Sequence, residues 1–219
     1  MISSYRDSGC NGPQGIKYLG VTIDPHLTWS IHVDTLCKKI SSDVFLIRSL
    51  KQQVPDDALL MAYHSIFMSK CTYGLLVWGH SSHMARVFGM QRRVVRVLAN
   101  LGYRDAVRDK FVDLKLLTLP SIYILHSLLF IADNLCQYTT NSGVHNHLTR
   151  AACDIRTPFL RLEHSRNAEN YYGPIFYNKL PNHIKGLGKN LFKRELKNVL
   201  LNNAFYSIKE FLDFDFKNV

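Results

Sequence analysis

Apolar residues recur at every third or fourth position along much of this chain, and that spacing constrains its fold more than any other feature. The clearest series follows Ser30 and comprises Val33, Leu36, Cys37, Ile40, Val44 and Ile47. A helix with this pattern has one apolar face, which must be buried against other elements. The sequence therefore predicts a mainly α fold built as a helical bundle.

Four further helices are expected from the same spacing, and one of them, Met84 to Asn100, carries the basic residues described below. One begins at Asp56 and Asp57, where a carboxylate would cap its N-terminus, and continues toward Trp78. Another begins near Pro120, ends near Asn134 and is apolar enough to be deeply buried. The last helix is predicted by three apolar residues on one face: Phe192, Leu196 and Val199.

A short β segment is expected ahead of the bundle, between Ile16 and Asp24. Tyr, Val, Thr and Ile are frequent in strands, and Pro25 ends the run. Gly20 marks a bend or a close backbone approach within this segment. The interpretation at this point is a short β segment.

Composition suggests three parts along the chain. Residues 1–14 have no periodicity and are expected to form a disordered leader. Residues 15–133 carry the β segment and the helical bundle. Polar residues after Asp133 suggest a linker, so 134–219 is expected to be a less regular tail that ends in a helix.

Charge indicates the class of partner. The chain has 27 Lys and Arg against 17 Asp and Glu, a net charge of +10, which favours polyanions or an acidic protein surface. On a helical wheel Arg86, Arg92, Arg93 and Arg96 gather opposite Met90, Val94 and Leu98. No acidic residue lies between Arg86 and Arg104, so phosphate binding is favoured over an ordinary solvated helix face.

Catalytic and metal chemistry find little support in the residues. Asp56 and Asp57 are the adjacent carboxylate pair, but they follow Val54-Pro55 at a helix start, which favours capping over metal binding. The chain has no nucleophile elbow and no Gly-rich phosphate loop. We therefore expect neither an independent enzyme nor a small-molecule substrate.

The cysteines and the apolar stretches exclude two further classes. Five widely spaced cysteines without a C-x-x-C pair argue against a secreted disulfide framework and favour an intracellular protein. Cys136, His145, His147 and Cys153 could be drawn as a zinc site, but their spacing is unusual for one, and a polar loop is the favoured alternative. Polar residues interrupt both long apolar stretches, so no membrane span is expected.

Three passages, taken in order, carry a resemblance to a known family. They are 17–24 (Lys-Tyr-Leu-Gly-Val-Thr-Ile-Asp) with Leu27-Thr28-Trp29; Tyr73-Gly74, Val77-Trp78-Gly79 and 91–96; and 117–123, Thr149-Arg150, 177–181 and Phe192-Lys193. Together they resemble the C-terminal part of LINE-type (non-LTR) retrotransposon reverse transcriptases, most closely those of jockey-like elements. The resemblance extends from residue 16 to about residue 212.

The resemblance implies roles for specific positions. Lys17, Tyr18, Leu19 and Gly20 would lie near the primer end, and the first two helices would form a thumb that closes on the duplex. The basic residues Lys38, Lys39, Arg86, Arg92, Arg93 and Arg96 would then contact RNA or an RNA/DNA hybrid.

The same resemblance implies what other parts of such a polymerase would supply. The fingers and the palm with its metal-binding aspartates would precede Ile16, so this chain alone is expected to be inactive as a polymerase. No cofactor is expected in this chain, since magnesium would belong to the palm. The missing palm and fingers are possible partners, and the nucleus or the cytoplasm is the expected location.

A rival interpretation belongs to a different functional class. The chain would be an inert or protein-interaction relic of a decayed element, with no role in binding nucleic acid. A bare apolar patch on Ile16 to Ile23 and the first helix would favour this alternative, because monomeric soluble proteins rarely expose such patches.

Overall fold

Helices form most of the computed structural model, which describes residues 15–141, 154–157 and 169–216. The helices are α1 (Ser30–Leu50), α2 (Asp56–Ala62), α3 (Ser69–Thr72), α4 (Leu75–Trp78), α5 (Met84–Leu98), α6 (Arg108–Asp113), α7 (Leu119–Asp133), α8 (Glu169–Lys179), α9 (Asn182–Lys185), α10 (Lys189–Asn203) and α11 (Ile208–Asp213). The prediction of a mainly α fold preceded by a short β segment is confirmed. The expected leader, 1–14, lies outside the described residues.

The β segment is a hairpin, and its turn lies where Gly20 predicted a bend. Strands β1 (Ile16–Tyr18) and β2 (Val21–Ile23) pair antiparallel, with Ile16 opposite Ile23. Leu19 and Gly20 form the two-residue turn, with φ angles of 45° and 81°. Positive φ at both central residues matches the twist of paired strands, which is why Gly20 marks the turn.

A buried carboxylate connects the hairpin to α1. Asp24 accepts backbone N–H hydrogen bonds from His26 (3.2 Å), Thr28 (2.9 Å) and Trp29 (2.7 Å), and a further one from the Thr28 hydroxyl (3.2 Å). Burial alone would raise the pKa of Asp24, but these hydrogen bonds bring the pKa below its usual value. The loop therefore fixes the point at which α1 begins.

The second predicted helix differs from expectation at both ends. Pro55 occupies the N-cap position, and Asp56 and Asp57 lie in the first turn. Their negative charges interact favourably with the positive end of the helix dipole, but neither side chain forms a cap hydrogen bond. Helical structure continues through a π-helical segment, Tyr63–Met68, into α3. It stops before Gly74 (φ 60°), so α4, which contains Trp78, is a separate helix.

Helix α7 lies at the centre of the core, as its apolar sequence predicted. Tyr123, Ile124 and Leu128 are fully buried, and α5, α8, α10 and α11 all contact this helix. A side chain at Gly173 would meet Ile131 at 2.8 Å, so glycine permits α8 to approach α7 closely. The proposed division after Asp133 stays a prediction, although the core continues from α7 into the C-terminal helices.

A polar hub joins three core elements. The Gln91 amide on α5 donates hydrogen bonds to the Tyr63 hydroxyl (2.8 Å) and the Leu117 carbonyl (2.9 Å). Its side-chain oxygen accepts from the Leu119 backbone N–H at 2.8 Å. Because burial would make each of these groups costly if unpaired, Gln91 fixes the start of α7 against α5 and the π segment.

The C-terminal region ends in helix, and α8, α9 and α11 are helices that the sequence analysis did not predict. Helix α10 buries Phe192, Leu196 and Val199 as expected, and α11 follows it. An aromatic cluster holds α11 in place and comprises Phe176, Phe205, Phe211, Phe214 and Phe216. Within the described residues, no helix combines the length and apolar composition needed to cross a bilayer.

Candidate nucleic-acid interface

The exposed face of α5 forms one wall of an open groove with a volume of about 660 Å³. Its charged lining consists of Arg86, Arg92, Arg93 and Arg96 from α5 and Arg104 from the loop after it. Cys37, Gly89, Met90 and Tyr103 complete the lining. The four arginines that the helical wheel grouped together therefore do share one surface, which we call the arginine groove.

Neighbouring side chains fix the directions of three of these guanidinium groups. Arg92 lies over the Phe88 ring, 5.3 Å from its centroid. Arg93 donates to the Met90 sulfur at 3.5 Å, and Arg96 donates to the Asp105 backbone carbonyl at 3.3 Å. None of the three forms a salt bridge with a described carboxylate. Their charges are therefore available to a ligand.

Unsatisfied donors point to the same conclusion. The Nε–H groups of Arg92 and Arg96 are buried and have no hydrogen-bond acceptor among the described residues. Buried polar groups without a protein partner are rare and are usually satisfied by water or a ligand. An acceptor from water or from a ligand that reaches these Nε–H groups would satisfy them.

Two other arginines are already paired. Arg86 forms a salt bridge with Asp34 of α1, so a carboxylate distant in sequence partly neutralises the groove. Arg108 forms a salt bridge with Glu210 at 3.0 Å and stacks on the Tyr206 ring at 4.2 Å. Arg108 therefore stabilises the attachment of α11, and the groove charge rests mainly on the other arginines.

A second cavity, of about 440 Å³, adjoins the arginine groove through three shared residues: Arg93, Arg96 and Tyr103. Arg48 of α1 adds another positive charge there, beside Val97 and Leu101. The sequence analysis missed Arg48 and Tyr103. Arg48 is one of several basic residues on α1, and only the packing of α1 against α5 distinguishes it from the others.

The predicted residues of the hairpin occupy a different place. Lys17, Gly20 and Lys39 line a cavity of about 430 Å³ between the hairpin, α1 and α3. Lys70 also lines it, but its ammonium group pairs with the Asp43 carboxylate at 2.7 Å. Tyr18 and Leu19 are exposed on the hairpin, and Lys38 is exposed on α1 without lining either cavity.

Helix α1 separates the two basic surfaces. Cys37 lines the arginine groove, whereas Lys39 lines the hairpin cavity. Residues two apart on a helix point about 160° apart, so these surfaces lie on opposite flanks of α1. A ligand that contacts both must cross the exposed side of α1, where Lys38 lies. The structure therefore divides the predicted site residues into two groups.

Metal-binding geometry is absent from the part of the chain that the structure describes, where no three His, Cys, Asp or Glu side chains are grouped to hold an ion. Asp56 instead forms a salt bridge with Lys51 at 2.7 Å. Of the residues considered for zinc, Cys136 is exposed, and His145, His147 and Cys153 lie outside the described residues.

Comparison with known proteins gives one informative similarity. Over 111 residues the chain is 29% identical to a protein described as a probable RNA-directed DNA polymerase from transposon X-element of Drosophila melanogaster. The match covers 48% of this chain and 12% of that protein. This similarity supports a relationship to a retrotransposon reverse transcriptase. No family model and no solved structure matches the chain.

The similarity supports the coarse part of the resemblance seen in the sequence. It does not identify which region of the polymerase the chain corresponds to, because it covers about half of the chain and about an eighth of its relative. The thumb, LINE and jockey assignments and the binding of nucleic acid are therefore proposals.

Proposed function

We propose that this chain holds the template and primer of a retrotransposon reverse transcriptase, through the arginine groove on α5. The observation that carries the proposal is the composition of that groove: five arginines line it, and its described lining includes no carboxylate. Guanidinium forks match the geometry of phosphate oxygens, and a row of them follows a backbone without reading sequence. RNA or an RNA/DNA hybrid is the proposed ligand.

The position proposed for the chain is the thumb and the region beyond it in a LINE-type, jockey-like polymerase. The hairpin with Lys17, Tyr18, Leu19 and Gly20 would lie toward the primer end, and α1 would separate it from the arginine groove. Magnesium and its aspartate ligands would be supplied by the palm. The described residues would therefore position nucleic acid inside the cell and leave nucleotidyl transfer to the palm.

A second candidate function is favoured by a separate observation. Large apolar side chains are exposed on the hairpin and α1: Ile16 (74%), Leu19 (73%) and Phe45 (71%). Large contiguous apolar patches on a protein surface mark sites of protein interaction. The alternative is that the hairpin and α1 bind a protein, either the palm and fingers or a second copy of the chain. The positive charge would then serve solubility.

Fluorescence anisotropy with a labelled RNA/DNA hybrid tests the proposal directly. We expect binding that is independent of hybrid sequence, resists an acidic protein competitor and weakens by a factor of ten or more as salt rises from about 50 to 200 mM. Size-exclusion chromatography with light scattering tests the alternative in parallel. A chain that self-associates and does not bind the hybrid at low salt would favour the protein-interaction function.

A further inference from the structure

Tyr103 lies at the tip of the loop between α5 and α6, beside the arginine groove. Its side chain lines both the groove and the adjoining cavity, and the residue is 81% exposed. No ring or cation–π contact joins it to a described residue. Three arginines line the groove together with this unstacked ring: Arg93, Arg96 and Arg104.

The end of α5 determines the direction in which the loop leaves the helix. Asn100 adopts a left-handed conformation, with φ 54°, directly after the last turn. The Leu101 N–H donates to the Arg96 carbonyl at 2.9 Å, and the Asn100 N–H donates to the Val97 carbonyl at 3.4 Å. This pair of hydrogen bonds is the Schellman motif, which terminates helices in a defined geometry.

A tight turn then places Tyr103 and Arg104 at its two central positions. The Asp105 N–H donates to the Gly102 carbonyl at 3.3 Å, and the Gly102 N–H donates to the Asp105 carboxylate at 2.7 Å. Arg96 donates to the Asp105 carbonyl at 3.3 Å and ties the turn back to α5. The backbone at the tip of the turn is therefore held in place before any ligand binds.

We infer that Tyr103 is a stacking platform for an unpaired base of the nucleic acid held in the arginine groove. The inference rests on the proposed function, since the arginines would bind the phosphates on either side of that base. Aromatic rings stack on every base and so tolerate any sequence, and neighbouring cations add to the attraction. Bases inside a duplex are already stacked on both faces, so the platform would select a single-stranded overhang or a frayed end.

Three hybrids test this inference: one blunt, one with a single-stranded overhang, and one with an abasic overhang of equal length. The abasic ligand keeps the phosphates and removes the bases. The wild-type chain should bind the overhang hybrid about tenfold more tightly than the abasic one. Tyr103→Ala should abolish that advantage, whereas Tyr103→Phe should retain it.

Phe45→Ala is the matched control, because Phe45 is another exposed aromatic residue that lines neither cavity of the α5 surface. It should leave the overhang advantage intact. The inference would be overturned by an advantage that survives Tyr103→Ala, or by equal binding of the overhang and abasic hybrids. Failure to bind even the blunt hybrid would overturn the proposed function itself, and the inference with it.

Discussion

The Tyr73 hydroxyl donates a hydrogen bond to the Leu19 carbonyl, which joins the turn of the hairpin to the break between α3 and α4. The hairpin and the segment around Gly74 also pack closely against each other. A side chain at Gly20 would meet the Tyr73 ring at 3.2 Å, and one at Gly74 would meet Val21 at the same distance. Two sequence segments that carry the family resemblance therefore contact one another across the fold.

Tyr73→Phe tests whether this hydrogen bond holds the hairpin. A partly exposed hydrogen bond contributes about 1 kcal/mol, so the hairpin amides should exchange with solvent about fivefold faster. Global stability should change little, since neither hairpin strand contributes a buried residue to the core. Hydrogen exchange followed by mass spectrometry is the measurement. Tyr103→Phe removes a hydroxyl from an exposed tyrosine outside the hairpin and should leave this exchange unchanged.

Gln91→Leu should destabilise the whole fold. The substitution removes four hydrogen bonds. It leaves the Tyr63 hydroxyl, the Met68 sulfur, the Leu117 carbonyl and the Leu119 N–H without this partner. We expect a loss of about 2–4 kcal/mol in the free energy of unfolding, measured with denaturant. The exposed residue Gln53 gives the control, because Gln53→Leu should change stability by less than about 0.5 kcal/mol. Equal effects of the two substitutions would contradict the role of the hub.

Two glycine substitutions should have opposite effects. A side chain at Gly79 would lie 2.5 Å from the Tyr123 ring and 2.6 Å from the Leu75 carbonyl, so Gly79→Ala should cost about 1–3 kcal/mol. Gly89 lies inside α5 with its nearest neighbour at 3.9 Å, so Gly89→Ala should stabilise the chain by about 0.5–1 kcal/mol. Thermal unfolding distinguishes the two, and a stabilised Gly79→Ala variant would show that the core is packed differently.

The pKa of Asp24 makes its contribution depend on pH. Burial raises this pKa, but the hydrogen bonds lower it by a larger amount. The pKa in the folded state therefore lies below the ordinary value of 3.8. The charged carboxylate therefore stabilises the fold above the unfolded pKa, and this stabilisation is lost as pH falls through the folded pKa. The stability difference between the wild type and Asp24→Asn should be constant near neutral pH and shrink in acid. A difference that grows in acid would show that the pKa is raised instead.

Periodicity predicted the helices that form the core, because the spacing of apolar residues specifies which face of a helix is buried. Helices α1, α5 and α7 lie where they were expected. The errors occurred where a single backbone conformation decides the outcome. Leucine rarely adopts positive φ, so the turn at Leu19 was not anticipated, and Pro55 took the cap position assigned to its acidic neighbours.

The candidate site was predictable only along one helix. The wheel grouped the α5 arginines correctly, since a helical face is fixed by spacing alone. It was unable to show that Asp34 pairs with Arg86, that Arg48 approaches from α1, or that Tyr103 stands beside the groove. Each of those relationships depends on how α1 and the loop after α5 pack, which no local pattern in the sequence specifies.

The structure also changes which arginines are best suited to a test. Arg92 packs over an aromatic ring and Arg96 anchors the loop, so removing either would disturb the fold as well as the charge. Arg93 and Arg104 are exposed and line the groove. Arg93→Gln with Arg104→Gln therefore removes two charges with little structural cost. Arg194→Gln with Lys209→Gln removes two charges from exposed positions outside the groove and is the matched control.

The salt dependence of hybrid binding in these two double variants shows whether the arginine groove binds phosphates. Each lost phosphate contact should reduce the slope of log K against log salt by about one, so the groove variant should lose about two and bind at least tenfold more weakly at low salt. The control should match the wild type. Equal slopes and affinities in the wild type and the groove variant would contradict the account.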